Sequence, residues 1–361
     1  MAKRQKNREE AEVTFGDVFY ERRLRKAQNG FLNQIDQLVD WRPIRSLINK
    51  KYMKRRNAVG APAYDPILLF KMLLLQTWYN LSDVALEERI NDSITFSRFL
   101  GLKLEAVSPD HSTLSRFRTA LTGLNLMDKL LKIVNSQLEK HHTSVREGVL
   151  LDASIVDTPH KPNGRITIEV ADDREDTRSD EAKRAEEEYQ KLVVRQRKGT
   201  DGEARWVKKG VYRFGYKKHV MANVQGIVQK VITTPANRSD TKELIPLLEG
   251  GEIPEEAPVF ADKGYASQEN REYLGSRGLQ DGIMQRAYRK RPLTEQQKAF
   301  NKAISPIRSA IERTFGCIRR WFHGGRCRYR GLAKTHTQNV LESIAFNLYR
   351  TPGIIMSNCT K

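Results

Sequence analysis

The amino-acid sequence predicts a mixed α/β protein in two parts: an all-helical region over residues 1–145 and a domain built on a mixed sheet over residues 146–355. Two observations support this division. Apolar residues recur at helical spacing as far as His141, and after Glu147 they form short runs that are typical of strands. Strands and helices then alternate, with three strands first, an order that favours a mixed sheet with helices on its faces.

The N-terminal region is predicted to consist of short helices joined by compact turns. Apolar residues from Phe31 to Ile48 follow helical spacing, and Pro43 suits the first turn of a second helix. Such a region is compatible with a DNA-binding helix-turn-helix, and a helical bundle that serves dimerisation is the alternative. Further helices are predicted at residues 66–79, 81–91, 94–100, 112–122 and 126–141.

The C-terminal domain opens with a predicted buried strand at residues 148–157, which a charged insertion follows. The insertion, residues 158–210, carries ten acids against four bases between 169 and 188 and then becomes basic, so a mobile or partner-dependent segment is expected. The remaining predicted elements are a hairpin around Gln225 and Gly226, helices at 239–248 and 267–276, strands at 257–262 and 279–284, and helices at 305–322 and 337–349.

The predicted helix at residues 305–322 carries one carboxylate, Glu312, among basic, apolar and small side chains. The Ser-Pro pair at its start suits a helix N-terminus. Because an α-helix turns about 100° per residue, Arg308, Glu312 and Arg319 fall on one stripe, beside an apolar stripe that can pack on a core. A lone acid between cations suits a site that holds metal and phosphate, whereas a surface Arg–Glu pair is the ordinary alternative.

The charge of the chain indicates a polyanionic partner, most simply nucleic acid. There are 63 lysines and arginines against 44 acids, a formal net charge of +19. The excess is concentrated in residues 285–331, where 13 basic residues accompany only Glu295 and Glu312. The three cysteines show no zinc-ligand spacing, no signal peptide is expected, and the most apolar run, residues 66–78, is too short to span a bilayer.

Three carboxylates stand where the predicted fold can bring them together. Asp152 lies inside the first strand, Asp262 ends the fourth strand, and Glu312 is on the later helix. If the first and fourth strands are neighbours, both aspartates emerge at a switch region of the sheet. A charged Asp in a buried strand is costly without a compensating partner, and hard oxygen ligands favour Mg²⁺ or Mn²⁺, with two ions suited to phosphodiester chemistry. Each aspartate is equally compatible with a capping role.

Other polar residues nearby have competing interpretations. Asp157 rivals Asp152, but strand alternation puts the two on opposite faces, which favours Asp152. Asp240 is expected to cap the helix that follows it rather than to bind metal. Lys217 and His219 are expected to contact phosphate or to support the site, and a structural histidine is the equal alternative.

The joint order of several motifs resembles the DDE transposases of bacterial insertion sequences, specifically the group numbered five. The resemblance covers about residues 14–350, and the order of the motifs is far more specific than any one of them. In chain order they read PAYDPILLFKMLLLQTWYNLSD, SPDHSTLSRFR, LLDASIVDTP, RFGYKKHV, ITTPANRSD, VFADKGYAS, SPIRSAIERTFGCIRR and YRGL.

The resemblance implies a ribonuclease-H-like catalytic domain preceded by a helical DNA-binding domain. It places a catalytic, metal-binding Asp-Asp-Glu triad on Asp152, Asp262 and Glu312. Such a triad would hold two Mg²⁺ or Mn²⁺ ions.

The signature of the related family around the glutamate reads Tyr, Arg, Glu and Lys. Arg308 and Glu312 match this signature, Arg319 replaces the lysine, and Ser305 stands where the tyrosine would be. The residues expected to contact DNA or its phosphates are basic and lie in both parts of the chain, with the first two on the surface of the helix at 112–122: Arg116, Arg118, Lys217, His219, Arg308, Arg319 and Arg320.

The function that these features predict is DNA transposition. The protein would bind the terminal inverted repeats of its element as a homodimer, cleave the ends by Mg²⁺-dependent phosphodiester hydrolysis, and join the freed 3′-OH ends to target DNA. A non-catalytic, transposase-derived DNA-binding protein and a structure-specific endonuclease of the same fold are the alternatives. The presence of all three acids disfavours the first of these. A cytoplasmic, nucleoid-associated protein with no membrane partner is expected.

Overall fold

The computed structural model describes residues 30–52, 64–103, 106–141, 148–162, 199–249, 251 and 253–359. The N-terminal tail and most of the predicted charged insertion lie outside these residues. Where it is described, the chain has the predicted mixed α/β architecture, with helices first and a mixed sheet with further helices after them.

The N-terminal region is helical where it is described, as predicted. Polar caps define several helix starts, because the side chains of Asp65, Ser82, Ser93 and Asp110 each accept a hydrogen bond from a backbone N–H of the following helix. The α-helices described in this region are α1 (Phe31–Leu38), α2 (Trp41–Tyr52), α3 (Pro66–Trp78), α4 (Asp83–Asp92), α5 (Ile94–Leu100), α6 (His111–Gly123) and α7 (Met127–Leu138).

The strands of the C-terminal part are, in chain order, β1 (Val149–Asp157), β2 (Lys161–Pro162), β3 (Thr200–Asp201), β4 (Arg205–Lys209), β5 (Val211–Asn223), β6 (Val228–Pro235), β7 (Pro258–Ala261) and β8 (Gln280–Ile283). β2 and β3 pair only with each other, and the other six form one mixed sheet. Its order is β4-β5-β1-β7-β8, and β6 also pairs with β5. β1 is antiparallel to β5 and parallel to β7, so the first and fourth predicted strands are neighbours.

The C-terminal end of the predicted insertion belongs to the sheet. Residues 205–209 form β4 and pair with the first half of β5 across a turn at Gly210, whose φ is +77°. The sequence pattern did not show this strand, because four of the five β4 side chains are exposed and no apolar alternation marks it.

The helix that carries Glu312 starts ten residues before the predicted start at Ser305. Thr294 is its N-cap and forms a capping box with Gln297, which fixes the true start. Pro306 lies inside the helix, on an exposed turn where water can satisfy the carbonyl that loses its N–H partner. The α-helices of this part are α8 (Leu244–Leu248), α9 (Gln268–Ser276), α10 (Glu295–Phe322) and α11 (Leu332–Cys359).

One hydrophobic core joins the N-terminal helices to the sheet domain. Side chains of α1 to α7 pack in the same buried cluster as Leu150 of β1, Val220 of β5, Ile311 of α10 and Ile344 of α11. The Nε1–H of Trp78 donates to a backbone oxygen of α11 at 2.9 Å. The predicted boundary at residue 145 is therefore not a boundary of the core.

The turn between β5 and β6 lies directly against α10. Gly226 has a φ of +83°, and its carbonyl oxygen accepts a hydrogen bond from the Thr314 hydroxyl at 2.8 Å. A Cβ at this position would lie 2.6 Å from the Thr314 Oγ1 and 3.2 Å from the Ala310 oxygen. Only glycine permits this conformation and this approach together.

A buried ion pair connects the sheet to α11. The Lys218 Nζ lies 2.9 Å from a carboxylate oxygen of Glu342, and the two side chains are 1% and 3% exposed. The Gln338 amide donates to the other carboxylate oxygen at 2.7 Å. Removal of one partner leaves an uncompensated buried charge, so it should lower the stability of the protein far more than the loss of a surface pair would.

We predict that Lys218→Met lowers the free energy of unfolding by about 3 kcal/mol, since it leaves the Glu342 carboxylate unpaired in the core. The double variant Lys218→Met/Glu342→Met should recover much of this loss. Urea unfolding followed by circular dichroism measures both. Lys298→Met, which removes an exposed pair with Glu295, is the control and should leave the midpoint almost unchanged. Equal stability of Lys218→Met and the wild type would refute the assignment.

Candidate active site

Two of the three predicted carboxylates meet at the centre of the sheet. In the parallel pairing of β1 with β7, Leu151 is opposite Ala261, so Asp152 and Asp262 follow at adjacent positions. β7 ends at Ala261, whereas β1 continues beyond Asp152. Asp262 caps the short 3₁₀ turn after β7 by accepting from the Lys263 N–H at 2.7 Å. The predicted convergence of the two aspartates is confirmed by this register.

α10 brings Glu312 and Arg308 to the same place. The Arg308 side chain is 8% exposed, and its guanidinium lies among all three carboxylates. Its nitrogens are 3.3 Å from an Asp152 oxygen, 3.8 Å from an Asp262 oxygen and 3.8 Å from a Glu312 oxygen. The side chains of Asp152, Asp262 and Glu312 are 20%, 40% and 61% exposed. The site therefore opens from a half-buried aspartate towards an exposed glutamate.

The protonation of Asp152 reflects its burial. Desolvation raises the pKa of its carboxyl from 3.8 to about 6, although the neighbouring Arg308 guanidinium and the Ala153 N–H oppose this shift. Asp262 adds to the rise because it is a like charge. The ionised form of Asp152 therefore needs a compensating cation.

The donor set has the chemistry of a hard-cation site. Three carboxylates share one guanidinium, so the cluster keeps an excess of negative charge and offers oxygen ligands of the kind that Mg²⁺ and Mn²⁺ prefer. Within the residues that the structure describes, no three His, Cys, Asp or Glu side chains are close enough to hold one ion. The Arg308 guanidinium occupies the space between these carboxylates. It must therefore move away before a metal ion can bind there.

Two further arginines lie on the same helix. The Arg319 guanidinium is exposed and donates to the Ser154 hydroxyl at 2.6 Å, two residues beyond Asp152 on β1. Arg320 is exposed on α10. Arg319 thus contacts the strand that carries Asp152, two residues beyond that aspartate.

Lys217 and His219 lie on β5 beneath the site. The Lys217 Nζ contacts the Asp240 carboxylate at 2.8 Å and the Arg238 carbonyl at 2.6 Å. His219 is fully buried, with Nε2 3.0 Å from the Thr234 hydroxyl, and burial lowers its pKa to about 4. Lys217 is thus engaged by Asp240 and His219 is buried, so neither side chain is exposed to phosphate in this structure.

Asp240 does not cap the following helix, so that prediction is wrong. Its carboxylate is instead attracted to Lys217, and it also lies 3.9 Å from His219. The hydroxyl of Tyr265 lies 3.5 Å from the other His219 ring nitrogen, and Tyr265 is 1% exposed. Sequence reasoning missed Tyr265, whose signal was its position in the turn immediately after Asp262.

Asp157, the sequence rival of Asp152, has a separate role. Its carboxylate pairs with Arg213 at the start of β5, and its backbone bonds to residues 325 and 327 after α10. Asp157 thus fixes the end of β1 to β5 and to the segment that follows α10.

The two arginines predicted on the surface of α6 differ. Arg116 is exposed, as predicted, and bonds to Ser112 one turn earlier. Arg118 is buried, so the prediction that it lies on the surface is wrong. Its guanidinium bonds to Asp83 and Gln76 and lies 4.6 Å from the centre of the Tyr329 ring, and it thereby ties α6 to α3 and α4. Helical spacing alone could not show this, because Tyr329 comes from a distant part of the chain.

Comparison with known families agrees with this geometry. A model described as "Transposase DDE domain" matches residues 143–348, which include all three carboxylates. The chain belongs to the DDE transposase family. A model described as "Transposase domain (DUF772)" matches residues 19–120. The transposase for insertion sequence element IS1106 from Neisseria meningitidis serogroup B is 37% identical over 238 residues, covering 65% of this chain and 76% of that protein. The transposase is thus of the bacterial insertion-sequence type.

Solved transposase structures are more distant. The piggyBac transposase synaptic complex with hairpin DNA gives a TM-score of 0.46 at 10% identity, covering 93% of this chain and 78% of that one. The Mos1 strand transfer complex gives a TM-score of 0.22 at 9% identity, covering 96% and 98%. The family assignment rests on the family models and the insertion-sequence relative.

As for membranes, none of the helices in the described ranges combines the length and the apolar character that a bilayer crossing requires.

We predict that Asp152→Asn stabilises the metal-free transposase at neutral pH. The carboxyl binds its proton more tightly in the folded state, with a pKa of about 6 against 3.8, so its contribution to stability falls as pH rises between these values. The gain of the variant should be absent well below pH 4 and reach about 3 kcal/mol above pH 7. Thermal unfolding across this range in a chelating buffer measures it, and a pH-independent difference would contradict the assignment.

Proposed function

We propose that this transposase cleaves the ends of its insertion sequence and joins the freed 3′-OH ends to target DNA. The observation that carries the proposal is the convergence of Asp152, Asp262 and Glu312 around the Arg308 guanidinium. These acids come from the middle of β1, the turn after β7 and α10, and their side chains become progressively more exposed. They thus combine hard oxygen ligands with an open side on which a DNA backbone can lie.

The fold supports this proposal. In this sheet β1, β5 and β6 pair in antiparallel fashion, and β7 and β8 run parallel to β1. We assign this arrangement as ribonuclease-H-like. We further propose that the N-terminal helices bind the terminal inverted repeats, with the exposed Arg116 among their contacts, and that a homodimer pairs two ends. The assignment to group five is carried by the sequence motifs, and a location at the bacterial nucleoid would follow from the DNA substrate.

We assign Asp152, Asp262 and Glu312 as the ligands of two Mg²⁺ or Mn²⁺ ions. When bound, these ions would lower the pKa of an attacking water and neutralise charge on the leaving oxygen. The distances from Arg308 to the acids, 3.3 to 3.8 Å, exceed those of charge-assisted hydrogen bonds. The guanidinium is therefore held mainly by charge, so a divalent cation can compete with it for the carboxylates.

The basic residues hold the reacting phosphate. Arg319 and Arg320, exposed on α10, would donate to its non-bridging oxygens, and Arg308 would balance charge on the inner side. In the first step a water oxygen forms a bond to phosphorus and the bond to the 3′ oxygen breaks, which leaves a 3′-OH. In the second step that hydroxyl attacks a target phosphodiester. One P–O bond forms as another breaks, so no external energy source is needed.

We predict that Glu312→Gln abolishes cleavage of the element's own ends and leaves end binding and folding intact. Glu312 is 61% exposed, so its substitution should change stability little, whereas loss of a carboxylate removes a ligand. Gel-based cleavage and mobility-shift assays with Mg²⁺ measure both properties. Glu295→Gln is the matched control, since it changes an exposed glutamate of the same helix. Cleavage by Glu312→Gln at the wild-type rate would overturn the triad.

We also predict that Mg²⁺ stabilises the protein through the two aspartates. At a concentration 100 times the dissociation constant the gain is about 2.7 kcal/mol, visible as a rise in melting temperature. Asp152→Asn/Asp262→Asn should lose this rise. Asp157→Asn, which changes an aspartate of the same strand on the opposite face, should retain it. A rise of equal size in the double variant would place the ion elsewhere.

A further inference from the structure

The hairpin formed by β4 and the first half of β5 projects beyond the end of β1 and is not explained by the catalytic cluster. Gly215 is the last β5 residue that pairs with β1, opposite Asp157. From there the hairpin continues, with Arg205 opposite Gly215 at its base and Lys209 opposite Val211 at its tip. It therefore extends the sheet as a two-stranded ribbon.

The two faces of this ribbon differ. Directly opposite residues share a face, so Trp206 with Phe214 and Lys208 with Tyr212 form one row. The rings of Trp206 and Phe214 have centroids 5.2 Å apart, and the Lys208 Nζ lies 5.4 Å from the centre of the Tyr212 ring. Trp206 is 51% exposed and Tyr212 is 68% exposed. Two large aromatic rings thus lie open beside a lysine.

This aromatic row lies on the face of the sheet that carries Asp152. In the register of β1 with β5, Asp152 is opposite Val220, and alternation from Val220 leads through Tyr216 to Phe214 and Tyr212. Tyr216 is buried in the sheet, so the row runs from the core outwards. The catalytic cluster and the open rings therefore share one side of the molecule.

The ribbon is anchored rather than free. At its base the Arg213 guanidinium pairs with the Asp157 carboxylate, and Phe214 packs against a small cluster around Tyr216 and Cys327. The base of the ribbon is thus fixed to the end of β1, the strand that carries Asp152.

The charge of the ribbon matches a polyanion. Its residues from 204 to 216 include four lysines and arginines and no acid. Basic side chains alone would suit the backbone of a duplex, but exposed aromatic rings gain most by stacking on bases that have left the duplex. Charge complementarity and the open rings together favour DNA with unpaired nucleotides.

We infer that this ribbon holds unpaired nucleotides of the DNA end next to the scissile phosphate, with Trp206 and Tyr212 stacking on the bases and Lys208 contacting the backbone. The inference rests on the proposed function, since it names a contact of the same DNA substrate. Unpaired bases near the cleavage site would give the backbone the freedom to enter between the carboxylates and Arg319.

The test measures binding of the full chain to two forms of the element end, one fully paired and one with a short mismatched stretch beside the scissile phosphate. Trp206→Ala/Tyr212→Ala should weaken binding of the mismatched end by about tenfold, the loss expected for stacking contacts, and should slow cleavage. Trp206→Phe/Tyr212→Phe keeps the rings and should restore most of the affinity. Val211→Ala, on the opposite face and 69% exposed, is the matched control and should bind as the wild type does.

A second measurement locates the contact. Ends that carry 5-iododeoxyuridine at single positions around the scissile phosphate are irradiated in complex with the chain, and the crosslinked peptide is identified by mass spectrometry. We expect the peptide that contains Trp206 or Tyr212 for at least one position. Crosslinks confined to other peptides would overturn the inference.

The outcomes separate the two proposals. If the wild type cleaves the ends, Glu312→Gln does not, and Trp206→Ala/Tyr212→Ala behaves as the wild type, only the ribbon inference fails. If Trp206→Ala/Tyr212→Ala lost affinity equally for paired and mismatched ends, the ribbon would bind the DNA backbone rather than stack on bases, and the ribbon inference would be rejected. If Trp206→Phe/Tyr212→Phe lost the same affinity, the two side chains would have a structural role, and the ribbon inference would again be rejected. If the wild type neither binds nor cleaves the ends, the proposed function fails and the inference falls with it.

Discussion

The attraction between the Arg308 guanidinium and three carboxylates is the interaction on which the active site depends. Asp152 comes from the central strand, Asp262 from the turn after its parallel neighbour, and Glu312 from a helix that follows much later in the chain. Without a cation between them, the acids would repel one another, and Asp152, the least exposed of the three, would bear most of this repulsion. A single buried arginine therefore holds three separately placed elements at one site.

This attraction acts through charge more than through directed hydrogen bonds. The Nε of Arg308 is buried and has no hydrogen-bond partner among the described residues. The stabilisation of such a guanidinium depends on the negative charge of the acids around it. The arrangement is therefore responsive to any event that changes the charge of the cluster, whether a proton at Asp152 or a bound cation.

Much of this structure could be predicted from the sequence, because local patterns carried it. Helical spacing and caps located the N-terminal helices to within a few residues, and apolar runs located β1 and β7. Element order allowed Asp152 and Asp262 to lie on neighbouring strands, and the pairing of β1 with β7 shows that they do. What the sequence could not show depended on contacts between distant segments. Arg118 is buried because Tyr329 covers it, and Lys217 holds Asp240 across a turn.

The shared core has a consequence for how the two parts of the chain act. α11 packs against N-terminal helices and against the sheet, and the Lys218–Glu342 pair fixes it to the sheet from within. Packed cores transmit displacement because they contain few voids. A displacement of the N-terminal helices is therefore transmitted through α11 to β5, the strand that pairs with the one carrying Asp152.

The turn at Gly226 also constrains how this chain can vary. Hairpin turns are normally where proteins accept extra residues, because nothing packs against them. Here the turn bears on α10 through the Thr314 hydroxyl, only two residues from Glu312. An insertion at this turn would displace the helix from the sheet and separate Glu312 from the strand that carries Asp152. The length of this turn is thereby constrained by the same packing that positions Glu312, although the turn contributes no group to the carboxylate cluster.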